Sequence, residues 1–144
     1  MRIRRARKED LKEISDIFRK ETAKRPYCQR WTQKTAFEKI EAFFKKSDIY
    51  IVVIDKKIIG FIILRITVGK KGRGAYIEEL WLKSDFQRKG IGKKLMKFIE
   101  NKCKRMGVKS IGLTSDKRSN AFRFYKKLKY KSHNNLVLMD KKLR

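Results

Sequence analysis

The stretch Tyr76–Gly92, YIEELWLKSDFQRKGIG, decides how the rest of this sequence is read. Its first half alternates like a strand, and its last residues open a long amphipathic segment, GIGKKLMKFIENKCKRMG. Two glycines, Gly90 and Gly92, stand with Arg88 and Lys89 where the strand gives way to the helix. Such a junction suits an anion docked on a helix N-terminus, where backbone N–H groups have no partner inside the helix.

Working outward, the chain upstream reads as a short strand (MRIRRA), a helix (RKEDLKEISDIFRKET) and a loop carrying Pro26, Tyr27 and Trp31. A second helix from a Thr32 cap (TQKTAFEKIEAFFKKS) and two strands, DIYIVVID and KIIGFIILRITV, follow. Asp55-Lys56-Lys57 is short enough to join those strands as a hairpin, and GKKGRG turns the chain into AYIEELWL. Downstream, Gly107 stops the long helix, VKSIGLTS reads as a strand, KRSNAFRFYKKL as a helix and LVLMD as a last strand. Strands paired by hairpins and then alternating with helices imply an α/β fold, a mixed sheet covered on both faces.

The 144 residues amount to one domain, 1–144, with 41% apolar and 11% aromatic residues, a globular composition. The longest apolar run, IYIVVI, is strand-sized, and the basic N-terminus lacks the apolar core of a secretory signal. Cys28 and Cys103 show no metal spacing and read as free thiols in a reducing cytoplasm, so no metal site is expected. Charge is the unusual feature: 41 basic against 15 acidic residues, a net +26. After Phe86 the only acids are Glu100, Asp116 and Asp140. Such a polycation attracts phosphate-bearing partners, RNA or ribosomes included, but a solvated lysine-rich surface reads the same way. Charge decides a sign, not a function.

Two phosphate motifs fail. A dinucleotide fingerprint requires glycine where Leu95 stands, and a P-loop requires a hydroxyl where Lys94 stands. What remains is Gln87-x-x-Gly90-x-Gly92 between strand and helix, and with it the chain resembles the GCN5-related N-acetyltransferase (GNAT) superfamily, whose signature is (Q/R)-x-x-G-x-(G/A). IRRARKEDLKEISDIF is similar to that family's opening strand and helix, and NAFRFYKKLKY to its closing helix.

The resemblance implies a GNAT-like acyl-CoA N-acyltransferase fold, with a central, mostly antiparallel sheet, a splayed strand pair and flanking helices. It implies acetyl-CoA as co-substrate, its pyrophosphate held by Gln87, Arg88, Lys89, Gly90, Ile91, Gly92 and Lys93. Main-chain groups of Leu80, Trp81 and Leu82 would pair with the pantetheine arm. The implied reaction is direct attack of a primary amine in a ternary complex, with Tyr125 as acid for the departing thiolate. The base is Glu78, four residues before Leu82, or Glu79 if a bulge swaps the faces, since neighbours on a regular strand point apart.

The sequence departs from the family at two places. Arg118 stands where relatives often carry an asparagine, leaving Asn120 as a shifted contact to the cofactor arm. Lys129 stands where a glycine is common, so either the lysine takes a glycine-like conformation or the turn differs. His133, the sole histidine, reads as a bystander. The acceptor that suits a basic exterior is an amine on a protein or a ribosome, used by a cytoplasmic monomer or homodimer. The opposed reading is a basic nucleic-acid-binding protein with a non-catalytic GNAT fold.

Overall fold

The structure is a computed structural model describing residues 1–143. Met1–Thr114 form one compact unit, and a second begins at Ser115. In the first, β1 (Arg2–Arg5), β2 (Asp48–Ile54), β3 (Lys57–Gly69), β4 (Gly72–Leu82) and β5 (Ile111–Leu113) make a single sheet in that order. Every neighbouring pair is antiparallel except β4–β5. The helices of this unit are α1 (Leu11–Thr22), α2 (Gln33–Lys46) and α3 (Ile91–Arg105).

The β2–β3 connection is a two-residue turn in which Asp55 and Lys56 both have positive φ, 50° and 63°. That conformation matches the right-handed twist of the flanking strands, here without the usual glycine. Odd positions of β2 face α1 and α2: Ile49 and Ile51 join Leu11, Ile14, Phe18, Ala36, Ile40, Phe61 and Ile63 in one buried cluster. Tyr50 faces the other way and packs edge-on to Phe98 of α3, ring centroids 5.6 Å apart. Leu95, Met96 and Ile99 are fully enclosed, so helices cover both faces of the sheet as the periodicity predicts. Cys103 is buried and Cys28 exposed, both unpaired, and burial pushes the Cys103 thiol pKa up.

α3 ends in a Schellman motif. Gly107 takes φ +75°, its amide bonds to Lys104 C=O, and the Val108 amide reaches back to Cys103 C=O at 2.9 Å. In the second unit α4 (Asn120–Lys127) ends in the same way with Lys129 at φ +74°. Its amide bonds to Lys126 C=O, and the Tyr130 amide to Tyr125 C=O at 3.1 Å. The lysine therefore adopts the left-handed conformation a glycine would take more cheaply.

Ser119 caps α4, accepting the Phe122 amide at 3.1 Å. Asp116 just before it accepts from the Arg118 amide and guanidinium, which hold its carboxyl at about 2. The expected last strand does not form: LVLMD is irregular, with Leu136, Val137, Leu138 and Met139 all at least 75% exposed. An apolar run becomes a strand only where a ladder partner takes its backbone hydrogen bonds, and among the described residues none does. No helix among the described residues is long and apolar enough to cross a membrane.

Candidate active site

The site is built where β4 parts from β5. The parallel ladder pairs only Ala75, Tyr76 and Ile77 with Ile111, Gly112 and Leu113, and β4 continues alone on that side to Leu82. The β3–β4 register slips at the same level, from Leu64–Ile77 to Ile63–Glu79, leaving Glu78 as an extra, bulged residue. The slip reverses which residues turn their backbone toward β3. Below it, the Ala75 amide bonds to the C=O of Ser110, the residue just before β5. Above it, the Lys83 amide bonds to Ile59 C=O on β3. By alternation, Glu79 and Trp81 direct their backbone groups to β3, while Leu80 and Leu82 present theirs along the parted edge. Of the three residues expected to offer main-chain groups to a cofactor arm, Trp81 is thus committed to the sheet.

The bulge also corrects the expectation for the two glutamates. Instead of pointing apart, both lie on the face of α1 and α2. Glu79 sits opposite Ile63 of the buried cluster, and Glu78 reaches Arg65, two residues along the same face. Glu78 accepts from Arg65 Nε at 2.8 Å and is committed to that ion pair. Glu79 accepts from the Trp81 indole N–H at 2.7 Å and has no ion-pair partner among the described residues. Burial raises its pKa, outweighing the indole hydrogen bond and the nearby Lys39.

Glu79 lines an open cleft of about 690 Å³ with Phe18, Arg30, Trp31, Thr35 and Lys39. The α1–α2 loop forms its wall. Trp31 meets the Phe18 ring at 5.0 Å between centroids, and Tyr27 meets Trp81 at 4.8 Å, so both loop aromatics are anchored to the core while one borders the cleft.

The segment from β4 to α3 is held from behind by a residue that sequence reasoning did not single out. Glu21, at the end of α1 and 6% exposed, accepts from Ser84 Oγ at 2.9 Å and the Ser84 amide at 3.3 Å. It also pairs with Lys24 at 2.8 Å. Gln87 of the signature turns its amide inward, to Leu82 C=O at 2.9 Å and to Glu21 at 3.4 Å. Its side chain shapes the loop. The only sequence signal for Glu21 is a carboxylate in the last turn of a helix, where the dipole disfavours it.

Beyond the clamp, Arg88 and Gly90 both have positive φ, 60° and 79°, and Gly90 is the residue before α3. The helix ladder begins with the Lys94 amide bonding to Gly90 C=O, so the amides of Ile91, Gly92 and Lys93 have no intrahelical acceptor. Among the described residues no side chain caps them, and the first turn holds no acid. A Cβ built on Gly90 meets nothing within 4 Å, so the turn that leads into these amides is open at that residue. Arg88, Lys89, Lys93 and Lys94 are all exposed around it. Bare amides, surrounding cations and an open turn fit a diphosphate.

In the second unit, Tyr125 is buried and packs edge-on to Phe124 and Tyr130, at 5.1 and 5.6 Å. Asn120, in the first turn of α4, accepts from the Arg123 guanidinium, and Arg118 is engaged by Asp116.

Solved structures with the same architecture are numerous. A possible acetyltransferase from Clostridium difficile 630 superimposes with a TM-score of 0.85 at 18% identity, over 99% of this chain and 98% of that one. An aminoglycoside 6′-N-acetyltransferase from Acinetobacter haemolyticus gives 0.79 at 13% identity, with both chains fully covered (100% of each). A ribosomal-protein-alanine N-acetyltransferase from Brucella melitensis biovar Abortus 2308 gives 0.76 at 15%, over 97% of each chain. At these identities the likeness is one of fold. Curated proteins supply no match. The sequence model of the acetyltransferase (GNAT) family, however, matches residues 11–130, most of the chain and all of the loop and cleft just described, and the protein belongs to that family.

Proposed function

We propose that the chain transfers the acetyl group of acetyl-CoA to a primary amine by direct attack, without a covalent enzyme intermediate. The observation that carries this is the uncapped N-terminus of α3, entered through an open turn at Gly90 and following a strand, β4, whose ladder with β5 stops at Ile77. The amides from Arg88 to Lys93 receive the pyrophosphate, and the backbone of Leu80 with the Leu82 amide extends the sheet to the pantetheine arm, the Leu82 C=O being taken by Gln87. The amine lone pair attacks the thioester carbonyl, a C–N bond forms, the C–S bond breaks, and the thiolate leaves with a proton.

Glu79 is the better of the two candidate bases. Its carboxylate opens onto the cleft and its raised pKa suits proton abstraction, whereas Glu78 is engaged by Arg65. Tyr125 is the acid that the family pattern assigns, and Asn120 the shifted polar contact. The +26 charge favours an acceptor on an acidic protein or a ribosome over a free polyamine.

The test is thermal unfolding with acetyl-CoA, followed by thiol release with a panel of amines. Saturable stabilisation at micromolar concentrations and amine-dependent thiol release are expected. The Tyr125→Phe variant should lose turnover with little change in acetyl-CoA affinity, and unchanged turnover removes that assignment. The same charge supports a second reading, nucleic-acid binding by a non-catalytic fold. It predicts no stabilisation by acetyl-CoA and a steep salt dependence of RNA binding.

A further inference from the structure

We propose that the cleft beside Glu79 selects an amine with anionic groups next to it, in particular the N-terminus of an acidic polypeptide. This rests on the acetyltransferase reading and goes further by naming which side chains choose the acceptor. The cleft holds one carboxylate and two cations, Arg30 and Lys39. The carboxylate is the inner group: Glu79 is anchored to Trp81 on the sheet, over the buried cluster, while Arg30 is exposed on the α1–α2 loop. Lys39 is half-buried on α2, its ammonium 5.6 Å from the Trp31 ring centre and 5.2 Å from that of Phe43.

Neither cation has an ion-pair partner among the described residues. Glu79 is the one carboxylate that lines the cleft, so with Arg30 and Lys39 both charged the lining is left with a net positive charge. Lys39 is further held on two aromatic rings, a partial desolvation that sharpens its attraction for an anion.

An acceptor must place one amine at Glu79. Its next groups then lie between Arg30 and Lys39, against Trp31. A second cationic group there meets like charge with no acid to receive it, whereas a carboxylate meets two donors. With an effective dielectric of about 20, one such contact within several ångströms changes binding on the order of tenfold or more. Polycationic acceptors such as polyamines are rejected by the same geometry. The selection is local, and so it is distinguishable from the diffuse attraction of the whole +26 surface, which falls off within about a Debye length.

The experiment measures kcat/KM by thiol release with the full chain and saturating acetyl-CoA, on three peptides with the same N-terminal residue. They differ in the next two positions: Glu-Glu, Gln-Gln or Arg-Arg. The order acidic, neutral, basic is expected, with roughly tenfold or more between the extremes at low salt. In the double variant Arg30→Gln, Lys39→Gln that ratio should fall to about two, with the stabilisation by acetyl-CoA unchanged. Equal use of the three peptides, preference for Arg-Arg, or an undiminished ratio in the double variant would each overturn the assignment. If acetyl-CoA stabilises the chain but the acidic peptide is not preferred, only this acceptor inference fails. If acetyl-CoA gives no stabilisation, the acetyltransferase reading fails as well.

Discussion

Removing the Glu21 carboxylate should loosen the cofactor loop from behind, without touching any group that meets substrate. In Glu21→Ala four interactions vanish together: Ser84 Oγ at 2.9 Å, the Ser84 amide at 3.3 Å, Gln87 at 3.4 Å and Lys24 at 2.8 Å. Hydrogen bonds to a charged acceptor are worth about 1.5–3 kcal/mol each, but two of these are long and all share one carboxylate. The Lys24 ammonium is half-exposed, so its pair contributes only about 0–1 kcal/mol. About 2–4 kcal/mol is left for the whole clamp. Unfolding a chain of this size has an entropy of about 0.3 kcal/mol per kelvin, so the melting temperature should fall by about 7–13 °C.

Calorimetry measures the fall directly, and titration with acetyl-CoA should show weakening by about tenfold, because the loop must now be ordered on binding. Glu21→Gln keeps an acceptor for Ser84 but loses the charge facing Lys24, and should lose about half as much stability. A melting temperature within about 2 °C of the parent in Glu21→Ala, with unchanged affinity, would show that the loop stands without its clamp.

Three further changes test other parts of the structure. Glu79→Gln should raise stability at neutral pH while abolishing most turnover. Burial raises the folded-state pKa, so the ionised glutamate costs stability above the ordinary 4.5, and the advantage of glutamine should vanish as acid protonates both folded and unfolded chains; melting curves from pH 4 to 8 follow it. Lys129→Gly should stabilise by about 0.5–1 kcal/mol, seen in urea unfolding, because glycine takes φ +74° without the strain of a Cβ but loses more chain entropy on folding. Gly60→Ala should destabilise by about 1–3 kcal/mol, since its Cβ would lie 2.3 Å from Leu82 Cδ2 and 2.8 Å from Trp81 C=O; a shifted urea midpoint measures the loss.

Local patterns in the chain carried the sheet-and-helix order, the hairpin at Asp55–Lys56, the glycine stop at Gly107 and the strand-to-helix junction at Gly90, because each depends on neighbours within a few residues. The signature also marked the uncapped helix start with its αL glycine, since that is a local device. LVLMD failed for the complementary reason: its composition asks for a strand, but a strand exists only if another backbone accepts it.

The choice between Glu78 and Glu79 was not legible. Alternation predicts opposite faces, and only the ladder with β3 reveals the bulge that brings both to one face and leaves one of them bound to Arg65. Glu21 is the same case, a helix-end carboxylate whose partners, Ser84 and Gln87, lie some sixty residues away. The amino-acid order by itself determined the family, the order of elements and the uncapped glycine turn before α3, all properties of short segments and their periodicity. Tertiary structure alone decided which carboxylate is ion-paired and what holds the loop in place, because pairing, burial and pKa are set by side chains brought together from distant parts of the chain.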